Sequence, residues 1–156
     1  MAWLAENEKW YLAGIVDGEG SIGVCKAIRN NRWNPEYRIR MRITNTNKKL
    51  FDYIIEILDR QDDYYYLCER LSRDTNRKTI YELEFGDMLT YKFLKEIVDY
   101  LLLKTEQAKL AIQMKNTFNG YSDKKIYCGR IVPKDIVDMR ENIYKEICKL
   151  NQRGCL

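Results

Sequence analysis

Residues 37–44 read Tyr-Arg-Ile-Arg-Met-Arg-Ile-Thr, a strict alternation of cationic and apolar side chains. A period of two over this length predicts an antiparallel strand with one face buried. Ile39, Met41 and Ile43 go to the core, and Arg38, Arg40 and Arg42 go to the opposite face. Upstream, Ser21–Ile28 reads as a second strand, with Ile22 and Val24 facing one way, and the polar turn around Asn30–Pro35 joins the two. Before it, residues 6–17 form a helix that is acidic early, apolar later, and predicted to break at Gly18-Glu19-Gly20.

Downstream, Asn45-Thr46-Asn47 supplies capping residues for a helix over 48–60, with Leu50, Phe51, Ile54, Ile57 and Leu58 as its apolar stripe. Residues 64–72 and 78–85 form a hairpin pair around the polar turn 73–77. Gly86-Asp87 opens a helix to Leu101, and Thr105 opens another to Phe118, which Asn119-Gly120 ends. After Pro133 a last helix lines up Ile136, Met139, Ile143, Ile147 and Leu150. The order predicts an α+β fold: an αββαββ core, a four-stranded antiparallel sheet with helices on one face, and extra C-terminal helices. Residues 1–120 are the core, and 121–156 are a helical extension of the same domain.

Composition narrows the chemistry. The 156 residues contain no histidine, which excludes histidine general bases, Ser-His triads and His-bearing zinc sites. The five cysteines are odd in number, widely spaced and form no C-x-x-C, which fits free thiols in a reducing intracellular compartment. Apolar runs are too short for a membrane span or a signal-peptide core.

The net charge of +4 conceals an asymmetry. Residues 26–49 hold Lys26, Arg29, Arg32, Arg38, Arg40, Arg42, Lys48 and Lys49 against the single acid Glu36. That segment is +7, which leaves the other 132 residues at −3. Side chains at i, i+2 and i+4 of a strand stand about 6.5–7 Å apart, so an arginine row without counter-charges repels itself until an anion lies across it. Strands fit the major groove of duplex DNA, where arginine binds guanine bidentately. The hairpin adds Arg70, Arg73, Arg77 and Lys78, together with Tyr64 and Tyr66.

Chemistry concentrates in Trp10–Ser21. Ala13 and Gly14 let another backbone approach this helix closely, and Glu19 between two glycines projects from its tip. A carboxylate beside exposed carbonyls is a hard oxygen site suited to Mg²⁺. One chain offers one such acid, so the expectation is a symmetric dimer that brings two Glu19 carboxylates to its axis.

Residues 12–20, LAGIVDGEG, resemble the signature of the LAGLIDADG homing endonucleases, and the predicted element order and basic strand extend the resemblance over about the whole chain. A single motif copy resembles the homodimeric branch. The resemblance implies a site-specific nuclease that uses Mg²⁺, with Mn²⁺ as a substitute, to cut both strands of a long, partly palindromic DNA target and leave 3′ overhangs. It assigns metal binding to Glu19 and the Gly18 carbonyl, and places Asn45, Lys49 and Lys104 around the scissile phosphate. Glu19 stands where many members carry Asp, Asn45 where some carry Gln, and Lys49 where Arg is found. DNA contacts are expected from Ser21, Lys26, Arg29, Arg32, Arg38, Arg40, Arg42, Arg70, Arg73, Arg77 and Lys78. Leu12, Ala13, Gly14, Val16 and Asp17 are expected at the dimer interface, with Asp17 capping the motif helix rather than binding metal. The size favours an intron-encoded protein. The rival reading is an intron maturase or a non-cleaving binder, for which RNA becomes a partner.

Overall fold

The computed structural model describes residues 2–30, 34–71, 78–119 and 132–152. Helix α1 (Glu6–Glu19) leads into strands β1 (Gly20–Ala27) and β2 (Glu36–Asn45), followed by α2 (Lys48–Leu58). Strands β3 (Tyr65–Arg70) and β4 (Ile80–Phe85) come next, then α3 (Asp87–Ile97) and a short 3-10 turn at Val98–Tyr100. The chain continues through α4 (Thr105–Asn119) and α5 (Lys134–Asn151). The strands form one antiparallel sheet in the order β1-β2-β4-β3, with the helices on one face, as the alternation of β2 requires. No described helix is long and apolar enough to cross a membrane.

Register decides which side chains share a face. Ile22, Met41, Phe85 and Tyr65 lie in one row across the strands, and the first three are buried beneath the helices. One residue along, Ser21, Arg42, Glu84 and Tyr66 form the corresponding row on the open face. The helices close the core with Leu12 and Val16 of α1, Phe51, Ile54 and Leu58 of α2, Phe93 and Leu94 of α3, and Ala111 and Met114 of α4.

Two sequence expectations shift. The motif helix does not break at Gly18; it runs through Glu19, and Gly20 enters β1 directly with extended backbone. Gly20 is required by close approach, since a Cβ there would stand 2.7 Å from the Val16 carbonyl oxygen. On α5, Met139 and Leu150 are exposed rather than part of the inward stripe. The seam runs instead through Arg140, Ile143 and Ile147, because buried Arg140 binds Thr117 Oγ1 at 2.9 Å and its carbonyl at 3.1 Å and lies over the Phe118 ring. Asn47 is the N-cap of α2, its side chain accepting from the Lys49 amide, while Asn45 accepts from Asn47. The predicted hairpin turn and residues 120–131 lie outside the described residues. Cys25, Cys68 and Cys148 are free thiols.

Candidate active site and nucleic-acid face

The end of α1 and the start of α4 hold each other. The Asp17 carboxylate accepts backbone N–H bonds from Leu102 (2.7 Å), Leu103 (3.1 Å) and Lys104 (3.0 Å). In return the Lys104 ammonium donates to the carbonyls of Val16, at 2.9 Å, and of Asp17. An anion thus sits at the amide end of one helix and a cation at the carbonyl end of the other, each opposite the dipole it complements. Asp17 caps α4, not its own helix as expected, and its carboxylate is committed to three amides within the chain.

This clasp leaves Glu19 outside it. Glu19 is exposed, and among the described residues its carboxylate has no hydrogen-bonding or ionic partner. The Gly18 carbonyl lies in the last helical turn, where no intrahelical donor reaches. The pairing of Gly20 with Ile43 carries the end of β2, and so Asn45, to the same end of the sheet as Glu19. Lys104 reaches that end through the clasp, and exposed Lys49 lies in the first turn of α2 just beyond Asn45. The four expected catalytic residues therefore belong to elements that converge at one end of the molecule. Among the described residues no group of three or more acidic, cysteine or histidine side chains is placed to hold a metal ion. One chain supplies a single carboxylate with adjoining carbonyls, a hard oxygen set that suits a divalent ion but is incomplete alone.

Beside Glu19 runs an exposed face of α1. A Cβ at Gly14 or Gly18 would meet nothing within 4 Å. Tyr11 and Trp10 are exposed on this face, stacked edge-on against Tyr53 and Tyr100 respectively, and Leu102 and Leu103 are 85% and 71% exposed. Of the residues expected at a dimer interface, Gly14 is on this open face. Leu12, Ala13 and Val16 are not: they are at most 1% exposed, because they pack into the chain's own core. Trp10, Tyr11, Gly18, Leu102 and Leu103 extend this exposed side beyond the residues named for it from the sequence, and the i, i+3, i+7 spacing of Tyr11, Gly14 and Gly18 is the sequence signal for part of it.

The open face of the sheet carries Arg38, Arg40 and Arg42 as predicted, but not as an uncompensated row. Arg42 Nε binds Glu84 at 3.0 Å, with Glu82 3.7 Å from its Nη1. Arg70 Nη2 reaches Glu82 at 3.2 Å. Arg38 Nε binds Glu36 at 2.7 Å, and Arg29 lies 3.3 Å from the same carboxylate. Ser21 is exposed opposite Arg42, and Lys78 is exposed ahead of β4. Arg32, Arg73 and Arg77 lie outside the described residues. Lys26 is the exception to the expected face: it is paired with Tyr37 on the helix side, its ammonium 2.7 Å from Glu141 and over the Tyr144 ring. Tyr37 donates to Glu141 at 2.5 Å. Burial, and then that carboxylate, push the Tyr37 phenol well above its usual range, while Lys26 and Tyr37 hold Glu141 below its own.

No protein-family model and no curated protein matches the chain. Solved structures do. The homing endonuclease I-CvuI, solved in complex with the I-CreI target, superposes with a TM-score of 0.69 at 19% identity, over 97% of this chain and 86% of that one. The archaeal intron-encoded homing endonuclease I-Vdi141I, complexed with DNA, gives 0.70 at 16% identity over 96% and 87%. The LAGLIDADG meganuclease I-CpaMI, bound to uncleaved DNA, gives 0.56 at 12% identity, over 94% of this chain but 44% of its own. Helix, paired strands, helix, paired strands and a helical C-terminus thus coincide along nearly the whole length, and the chain has the LAGLIDADG homing endonuclease fold.

Proposed function

We propose that the chain is a site-specific DNA endonuclease that acts as a homodimer, cutting both strands of a long pseudo-palindromic duplex with a divalent metal and leaving 3′ overhangs. The observation that carries this reading is an exposed Glu19 carboxylate without a partner among the described residues, beside a helix face that Gly14 and Gly18 keep open. Each glycine costs a helix interior about 0.5–1 kcal/mol relative to alanine, and among the described residues nothing lies within 4 Å of the space it leaves. A second copy seated there brings its own Glu19 alongside and completes the oxygen set.

Glu19 and the Gly18 carbonyl would hold the ion, Mg²⁺ or its substitute Mn²⁺, which supplies an activated water and charge neutralisation at the phosphate. Lys104, anchored on the α1 carbonyls, and Lys49 place positive charge where the phosphorane develops it. Asn45, whose Oδ1 accepts from the Asn47 amide, adds a polar side chain at the same end. The sheet face meets the duplex, and the solved neighbours that hold DNA favour double-stranded DNA as the partner.

The test is selection of duplexes from a randomised library in Ca²⁺, followed by addition of Mg²⁺. A long pseudo-palindromic consensus cut on both strands is expected, and Glu19→Gln should keep the binding and lose the cleavage. A consensus left intact in Mg²⁺ and Mn²⁺ refutes the nuclease and leaves a specific binder. If no duplex is enriched, the maturase reading moves ahead and structured RNA is the ligand to test.

A further inference from the structure

The arginines of β2 differ in what surrounds them, and the difference separates their duties. Arg38 is held by Glu36 and Arg42 by Glu84, whereas Arg40, among the described residues, has no carboxylate partner. The backbone explains this. On β1 the residue paired with Arg40 is Gly23. On the other side β4 ends at Phe85, paired with Met41, so the next position along is Gly86. Neither neighbour presents a side chain. Gly86 cannot be larger, because a Cβ would stand 2.6 Å from the Tyr64 carbonyl oxygen, to which its own N–H is bonded. The result is a cleft of about 410 Å³ in the sheet face, lined by Arg38, Arg40, Cys25, Glu84 and the exposed Tyr64 and Tyr66.

We infer that Arg40 is the base-reading residue of the strand, taking one guanine per half-site through its O6 and N7, while Arg38 and Arg42 are restrained by their carboxylates. This rests on the proposed DNA-binding function. A guanidinium with all its donors uncommitted can offer two parallel N–H bonds to a guanine edge. One already shared with Glu84 has fewer to give and a fixed direction. The three carboxylates interleaved on this face, Glu36, Glu82 and Glu84, also oppose phosphate, so the face suits base edges better than backbone.

The test compares consensus targets selected in Ca²⁺ by the wild-type chain, Arg40→Ala, Arg40→Gln and Arg42→Gln. Arg40→Ala should erase a guanine preference at one symmetric pair of positions, a loss of about five- to a hundredfold in discrimination, with the rest of the consensus intact. Arg40→Gln should move that preference toward adenine, a change that misfolding does not produce. Arg42→Gln should leave that position unaltered. An unchanged consensus in both Arg40 variants overturns the inference, as does a uniform weakening across all sequences, which would assign Arg40 to phosphate. Failure of the wild-type chain to enrich any duplex refutes the DNA-binding reading itself and is distinguishable from either.

Discussion

Removing the Asp17 carboxylate should loosen the junction of α1 and α4. The side chain accepts three amide bonds at 2.7–3.1 Å. A lost helix cap costs about 0.5–2 kcal/mol, and loss of an anion from the positive end of a helix dipole about 0.3–1 kcal/mol. Because the site is partly open to solvent, a figure of about 2 kcal/mol for Asp17→Ala is appropriate. In a chain of this size that corresponds to a fall in melting temperature of about 4–8 °C. Asp17→Asn keeps an acceptor oxygen and should lose about half as much. Lys104→Met retains the aliphatic stem while removing the ammonium from the Val16 and Asp17 carbonyls. Since both residues fasten the same two helix ends, the double variant should be less destabilised than the sum of the singles, by about 0.5 kcal/mol or more. Urea and thermal unfolding of the four proteins measure the cycle. If Asp17→Ala melts within about 1 °C of wild type, or the cycle is additive within about 0.3 kcal/mol, the two helix ends are not coupled as argued.

The glycines of α1 should divide by their surroundings. Gly14→Ala and Gly18→Ala should each stabilise the unassociated chain by about 0.5–1 kcal/mol while weakening self-association in sedimentation equilibrium; unchanged association removes this face from the interface. Stability should also fall at alkaline pH through Tyr37. Its phenol is raised in the folded state by burial and by Glu141, so its contribution is complete below the unfolded value of about 10 and lost as pH rises through the folded value. Tyr37→Phe should flatten that alkaline limb in unfolding measured from pH 8 to 11, and an unchanged slope would show that Tyr37 does not drive it. Glu141, held low by Lys26 and Tyr37, acts at the opposite limb: its contribution is present above the ordinary carboxylate range and lost as pH falls through the depressed value.

The fold was readable because β2 is half buried, and burial of one face imposes a period that survives in a single chain of letters. Lys26 shows what a count of charge omits. The alternation of Ile22 and Val24 already assigns position 26 to the helix side, yet proximity in sequence grouped it with the arginines. The counter-charges on the sheet were hidden for a different reason. Glu84 meets Arg42 only because β2 pairs with β4 rather than β3, a non-local register that local periodicity does not carry. Glu19 was singled out from the motif itself and Lys104 only through the family resemblance, whereas the clasp depends on a contact across 87 positions. Gly18 was read as a helix breaker, but its helical backbone and empty surroundings give it a different significance.

Asn151, at the end of α5, donates to the Ile22 carbonyl on β1 at 2.8 Å, and α5 packs along that strand. β1 is an outermost strand, and an uncovered strand margin invites pairing with other chains and, in time, fibrillar growth. The C-terminal helix therefore serves as a selvedge to the sheet: it occupies a margin where a foreign strand would otherwise begin to add. At the opposite margin β3 is six residues long and ends in Glu69 and Arg70, a short and charged template. With both margins guarded, the sheet offers little template for endless β-pairing, which leaves the exposed face of α1 for the closed homodimer proposed above.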